Sequence, residues 1–151
     1  MKEGNFLVGW REWAALPLLG IPLIKAKVDT GARSSSLHAH VERLFNEDGT
    51  PMIEFVVHPD WPDMKPEVRT VAPLFDERNV RSSNGTVEQR PFITTDIVMG
   101  GHRWALEFNL TSRDTMGFQL LLGRQAFRRR AIVDPSRSFM LGKPDEGKPK
   151  G

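Results

Sequence analysis

The sequence predicts an all-β domain. Apolar residues recur at every second position in several short runs, turn-forming residues separate those runs, and only one short segment near the C-terminus reads as helical. Eleven prolines and thirteen glycines among 151 residues supply the punctuation.

Taken in order, "FLVGWREWAAL" (residues 6–16) fits a strand or a short helix, and Pro17, Gly20 and Pro22 favour a strand followed by a turn. In "LIKAKVD", Ile24, Ala26 and Val28 alternate with Lys25 and Lys27, the period of a half-buried strand. "SLHAHVERLF" reads as one further strand, "NEDGTP" as a turn, and "MIEFVVH" as the second arm of a hairpin. Residues 59–75 contain four prolines and read as irregular. "VEQRPFITTDIVMGG" and "HRWALEFNLT" form the clearest hairpin: Trp104, Leu106, Phe108 and Leu110 alternate with Ala105, Glu107 and Asn109, and Gly100-Gly101 turns the chain. A loop, "SRDTMG", leads to the apolar run "FQLLLG", then one or two helical turns over "RQAFRRR", then a last strand at "AIVD" or "SFML".

A chain of this length fits one domain with a real core, and 39% hydrophobic and 26% charged residues are ordinary for a soluble globular protein. A net charge of +2 gives little reason to expect nucleic-acid binding. The absence of cysteine excludes disulfides, thiolate zinc sites and a cysteine nucleophile. "MKEGNFLVGW" lacks the apolar core of a leader, and no run is long enough to span a membrane, so a soluble cytoplasmic protein is expected. The last nine residues, "KPDEGKPKG", read as a disordered polar tail.

The chemistry centres on Asp29 in "KVDTGARSSSLHAH". A strand delivers Asp29 into a turn, Thr30 offers a hydroxyl beside it, and Gly31 permits close backbone approach. Those parts can hold a carboxylate still, but Asp, Thr and Gly also favour ordinary turns. His38 and His40 are two apart and would share one face of a strand, half of a metal site or simply a hydrogen-bonded pair. "RRR" at 128–130 reads as a solvated helix terminus, Asp134 in "DPSRS" as a turn residue, and Trp10 and Trp13 as packing residues. Ser34, Ser35 and Ser36 lack the His and acid context of a serine nucleophile.

Three motifs in order carry a resemblance: Asp29-Thr30-Gly31-Ala32, a Gly-tipped hairpin at Ser82-Ser83-Asn84-Gly85, and Leu121-Leu122-Gly123-Arg124 before a short helix. In this the chain resembles the retropepsins, single-domain aspartic proteases, over about residues 20–140. It is most similar to a bacterial family called ATP-dependent zinc proteases, small retropepsin-like proteins associated with glutamate-ligating enzymes. The sequence itself carries no H-E-x-x-H and no phosphate-binding G-x-x-x-x-G-K-[ST] loop.

The resemblance implies a closed six-stranded acid-protease barrel over residues 1–142, one short C-terminal helix, an inserted hairpin between residues 41 and 75, and the tail 143–151. That insertion would lie beside the hairpin flap. The resemblance also implies an aspartic endopeptidase without metal or cofactor. Asp29, Thr30 and Gly31 would form the catalytic loop, and Ala32, Arg33, Ser82, Ser83, Asn84 and Gly85 would bind a peptide or protein substrate. Leu121 and Leu122 would pack behind the loop. One such tripeptide per chain requires a homodimer, in which two Asp29 carboxylates share one proton and activate a water. Asp76, Asp96 and Asp114 are the in-chain alternatives for the second carboxylate, without a matching motif. Arg33 could recognise acidic, glutamate-rich segments. A non-catalytic peptide-binding or regulatory dimer tied to a glutamate-ligase system is the alternative, and a true metallopeptidase a third.

Overall fold

The computed structural model describes residues 5–82, 84–112 and 117–144. Among the described residues twelve strands follow in sequence: β1 (Phe6–Val8), β2 (Arg11–Leu16), β3 (Ile21–Val28), β4 (Ser35–His38), β5 (His40–Glu47), β6 (Thr50–Val57), β7 (Val68–Pro73), β8 (Asp76–Arg81), β9 (Val87–Met99), β10 (His102–Thr111), β11 (Leu120–Leu122) and β12 (Ala131–Val133). The described helix is confined to two three-residue 3-10 turns, Pro17–Leu19 and Arg124–Ala126.

Six strands close on themselves in the order β10-β4-β11-β3-β2-β9, because β9 pairs back onto β10. The expected closed barrel is therefore present. β8 adds to the outside of β9 and forms the expected Gly-tipped hairpin with it. The alternation read in the sequence holds in β3, where Ile24, Ala26 and Val28 enter the core and Lys25 and Lys27 do not. Trp104, Phe108 and Leu110 likewise face the core from β10.

Residues 6–16 form two strands, not one or a helix, since the chain breaks at Gly9-Trp10. β1 leaves the barrel there and pairs in parallel with β12, which settles the last strand on "AIV". Ser138 contributes only an isolated bridge to Arg11. "SLHAHVERLF" divides into β4 and β5 at Ala39, whose N–H is taken by Thr111 O at 2.9 Å. His38 and His40 consequently lie on different strands of different sheets. The helical reading of "RQAFRRR" reduces to one 3-10 turn followed by tight turns, with Arg129 at φ +63.

The insertion is larger than a hairpin. β5, β6 and β7 make a three-stranded antiparallel sheet, so the proline-rich stretch yields a strand that the sequence reading left irregular. Asp48 and Gly49, at φ +51 and +84, make the two-residue turn between β5 and β6, a backbone that matches strand twist. Ile53, Phe55, Val57 and Ala72 join the barrel core. β7 packs on β9 and on the 3-10 turn that precedes β3, whereas Asp29 follows the other end of β3. Eight extended residues span roughly 25 Å, so this sheet enlarges the core at the end of β3 opposite the Asp29 loop.

One buried carboxylate ties the termini of the fold together. Glu12 is 0% exposed and accepts N–H groups from Gly9 (2.7 Å), Met140 (2.9 Å) and Leu141 (3.2 Å). Glu12→Ala would leave one buried backbone donor, Gly9 N–H, and two part-buried ones, Met140 N–H and Leu141 N–H, without their acceptor; a buried unsatisfied donor costs about 1–3 kcal/mol and a part-buried one, which water can reach, less. The expected result is a loss of roughly 2–4 kcal/mol, measured by urea unfolding, with Glu12→Gln intermediate because it keeps one carbonyl oxygen.

Candidate active site

The loop from Asp29 to Ser34 is held from below by the segment that follows β11. β3 and β11 run parallel in register, Val28 beside Leu122, so both end at the same level. Asp29 N–H donates to Leu122 O at 2.9 Å, Arg124 N–H to Ala32 O at 2.8 Å, and Gln125 N–H to Arg33 O at 3.1 Å. Gly123 N–H donates to Ser35 Oγ at 3.1 Å. At Gly123 a Cβ would lie 2.4 Å from Ser34 O and 2.8 Å from Ala32 O, so only glycine lets these two segments of the chain meet.

Asp29 itself is half-buried, and Thr30 and Gly31 are exposed. The Gly31 N–H donates to Asp29 Oδ1 at 3.1 Å, and Ala32 N–H to Asp29 O at 3.0 Å, which fixes the carboxylate within its own turn. The Arg124 guanidinium donates through Nη1 to Thr30 O (3.4 Å) and Gly31 O (3.2 Å). The result is a rigid loop that presents one carboxylate to the surface. The sequence flagged Arg124 only as part of a motif; its hold on the loop's carbonyls was not legible there.

Asp76 and Asp96, the in-chain candidates for a second carboxylate, are engaged elsewhere. Asp76 pairs with Arg78 at 2.9 Å and Asp96 with Arg103 at 2.9 Å. The hydrogen bonds from Arg78 and from the Glu77 backbone hold the Asp76 carboxyl below its ordinary range. Asp114 lies outside the described residues.

Beside the loop lies a cavity of about 490 Å³, lined by Thr30, Arg33, Arg124, Arg128 and Arg129 over an apolar floor that includes Phe127 and Val133. Among the described residues no carboxylate pairs with any of those four guanidinium groups. Arg128 and Arg129 are solvent-exposed, as the sequence leads one to expect, and they also line this cationic cavity; Arg130 is exposed and lies over the Trp104 ring.

The hairpin tip is ordered by its own side chains. Ser82 N–H donates to Thr86 O (2.8 Å), Gly85 N–H to Ser82 O (2.9 Å) and Thr86 N–H to Asn84 Oδ1 (3.1 Å), and the Ser82 hydroxyl also meets Asn84 Oδ1. Ser83 lies outside the described residues. No hydrogen bond among the described residues joins this tip to the Asp29 loop. His38 is not drawn toward His40. Its Nδ1 lies 2.6 Å from Gln119 Oε1 and its Nε2 3.2 Å from Ser112 O. Among the described residues no three His, Asp or Glu side chains converge on a metal-sized space, and no helix is long and apolar enough to cross a membrane.

A family model for the retropepsin-like aspartic endopeptidase RimB matches residues 7–144. The chain belongs to the RimB-like family. The RimB-like match spans the whole barrel, the Asp29 loop and the Gly123 segment. Relatives include proteins named "Probable alpha-L-glutamate ligase". The one from Shewanella halifaxensis is 45% identical over 97% of this chain and 32% of its own length. That from Parasynechococcus marenigrum is 44% identical over 91% of this chain and 30% of its own length. This RimB-like chain therefore spans about a third of the curated relatives it matches. Among solved structures, a Legionella pneumophila protein of unknown function, Lpg0085, superposes with a TM-score of 0.75 at 28% identity, covering 91% of this chain and 98% of that one.

Proposed function

We propose that the chain is an aspartic endopeptidase whose active site forms when two copies meet across a two-fold axis at the Asp29 loop. The observation that carries this reading is the loop itself: a lone carboxylate, held by its own backbone and presented at the surface by a rigid support, within a RimB-like barrel. A two-fold contact would bring Asp29 against Asp29 of the partner subunit. Two carboxylates that close share one proton.

The ionised carboxylate takes a proton from a water, and the water oxygen attacks the scissile carbonyl carbon. The protonated carboxyl donates to the carbonyl oxygen as negative charge develops there. Collapse of the tetrahedral diol breaks the C–N bond, with a proton passed to the leaving amine, and no covalent enzyme intermediate forms. Thr30 braces the paired loops, Gly31 lets substrate backbone approach, and the hairpin tip around Ser82, Ser83, Asn84 and Gly85 closes over the peptide. The zinc and ATP of the resembling family's name have no part in these steps.

The substrate we infer is an acidic, glutamate-rich segment. Four guanidinium groups without carboxylate partners among the described residues line the cavity beside Thr30, and arginine pairs with carboxylates through two parallel hydrogen bonds. The ligase names borne by longer relatives point the same way. Arg33→Ala is expected to raise KM for a glutamate-tailed peptide by about tenfold, the worth of one exposed charge-assisted contact. Cleavage of a neutral peptide of equal length should barely change. Equal cleavage of both peptides by the wild type would remove the acidic-substrate reading.

A second reading draws on those same names: a non-catalytic dimer that binds acidic segments and regulates ligation. It predicts peptide binding without cleavage, retained in Asp29→Asn.

A further inference from the structure

Of the two leucines expected behind the Asp29 loop, only Leu122 is in the core; Leu121 is half-exposed. Directly after them β11 ends, and the chain goes on to line the cationic cavity with Arg124, Arg128 and Arg129. Thr30 and Arg33 line it from the Asp29 loop, and Val133 of β12 belongs to its apolar floor. Asp29 is the chain neighbour of Thr30, yet it does not line the cavity. The cavity therefore abuts the carboxylate and lies to one side of it.

A two-fold axis between paired Asp29 carboxylates repeats everything that lies off it. The single cavity becomes two, one on each side of the site and each built by a different subunit. A peptide whose scissile bond lies between the carboxylates runs from one cavity toward the other. Extended chain advances about 3.3 Å per residue, so the side chains that reach the cavities belong to residues flanking the bond on its N-terminal and C-terminal sides. The two cavities carry the same charge. Among the described residues no carboxylate pairs with Arg33, Arg124, Arg128 or Arg129, and all four are exposed. Arg124 turns Nη1 to Thr30 O and Gly31 O, which sets one guanidinium group against the catalytic loop. Each fork of N–H donors matches a carboxylate. An acidic residue on one side of the bond fills one cavity and leaves the other to water.

We propose that the paired site reads an acidic side chain on each side of the scissile bond, one in each cavity. This rests on the dimeric, acidic-substrate reading above and adds where in an acidic segment the cut falls. The bond that joins a neutral segment to an acidic one presents carboxylates to one cavity alone, so it is cut slowly. Bonds inside an acidic run satisfy both cavities. Cleavage falls inside the run, and both products keep acidic residues beside their new ends.

The test is a peptide in which a neutral block is joined to a glutamate block, with a neutral peptide of equal length beside it. Initial products are mapped by mass spectrometry, and kcat/KM is obtained for each bond. Bonds inside the glutamate block are expected to be cut at least about tenfold faster than the junction, the worth of one more charge-assisted contact. Arg33→Ala removes one guanidinium group from each cavity. Its side chain is exposed, and a surface change of this kind leaves folding intact. It is expected to lower kcat/KM about tenfold for interior bonds, which use both cavities, and only about threefold for the junction, which uses one. A junction cut as fast as the interior, or slowed by the same factor in Arg33→Ala, shows that one cavity suffices and overturns the proposal while the substrate class stands. If wild type cuts the neutral peptide as readily, the substrate class itself falls, and the proposal with it. If neither peptide is cut, the peptidase reading fails and takes the proposal with it.

Discussion

Asp29→Asn is expected to lower peptide turnover by about 10²–10⁴-fold, the range spanned by positioned acid–base groups. Asparagine cannot take the proton of the attacking water, and two asparagines cannot share one. The substitution should leave folding intact. Its side-chain oxygen can still accept the Gly31 N–H that Asp29 Oδ1 accepts now, and the position is not in the core. A melting temperature within about 2 °C of wild type is anticipated. Turnover measured under equal protein concentration, with and without a chelator, separates the readings. The aspartic mechanism requires loss on substitution and indifference to chelation; a metallopeptidase requires the reverse.

Gly123→Ala should damage both stability and activity. The added Cβ would stand 2.4 Å from Ser34 O and 2.8 Å from Ala32 O, backbone atoms that cannot rotate aside. Relief comes only from pushing the Asp29 loop off its support, which breaks the Arg124 N–H to Ala32 O and Asp29 N–H to Leu122 O bonds on either side. Overpacking of this kind costs about 2–3 kcal/mol, a melting-temperature drop of roughly 5–10 °C for a chain of this size. Activity should fall further than the folded fraction does, because the carboxylate moves with the loop. Gly101→Ala is the matched control: nothing lies within 4 Å of its Cβ, and it sits in the turn between β9 and β10. A Gly123→Ala protein as stable and as active as the control would show that the contact does not hold the loop.

The parts of this fold that were legible in the sequence are those that depend on residue type at short range. Asp29-Thr30-Gly31 at the end of an alternating strand, and Leu-Leu-Gly-Arg after another, each announce a local geometry, and the two meet in register through β3 and β11. Ser82 to Gly85 announced a turn, and a turn joins β8 to β9. What stayed hidden depends on partners far away in the chain. β7 carries Pro73 and follows Pro62 and Pro66, so its local signal is that of a loop; pairing with β6 overrides it. Glu12 looks like any polar residue of a strand, and only the return of residues 140 and 141 makes it a buried acceptor. Asn109 and Arg90 match a polar-out pattern, yet both are buried, because Ser36, Ser35 and Glu88 satisfy them. The single signal available for that network was a set of polar residues, Ser36, Asn109 and Arg90, at the non-core positions of three strands.

The central claim is that one active site is built from two copies of the Asp29 loop, and subunit mixing tests it most directly. Wild type is combined with an equal amount of Asp29→Asn, allowed to exchange, and assayed on a glutamate-rich peptide at fixed total protein. If each site needs an aspartate from both subunits, only wild-type pairs are active, and specific activity falls to about one quarter of the wild-type value. A value of about one half, the simple dilution of independent monomers, would contradict the account.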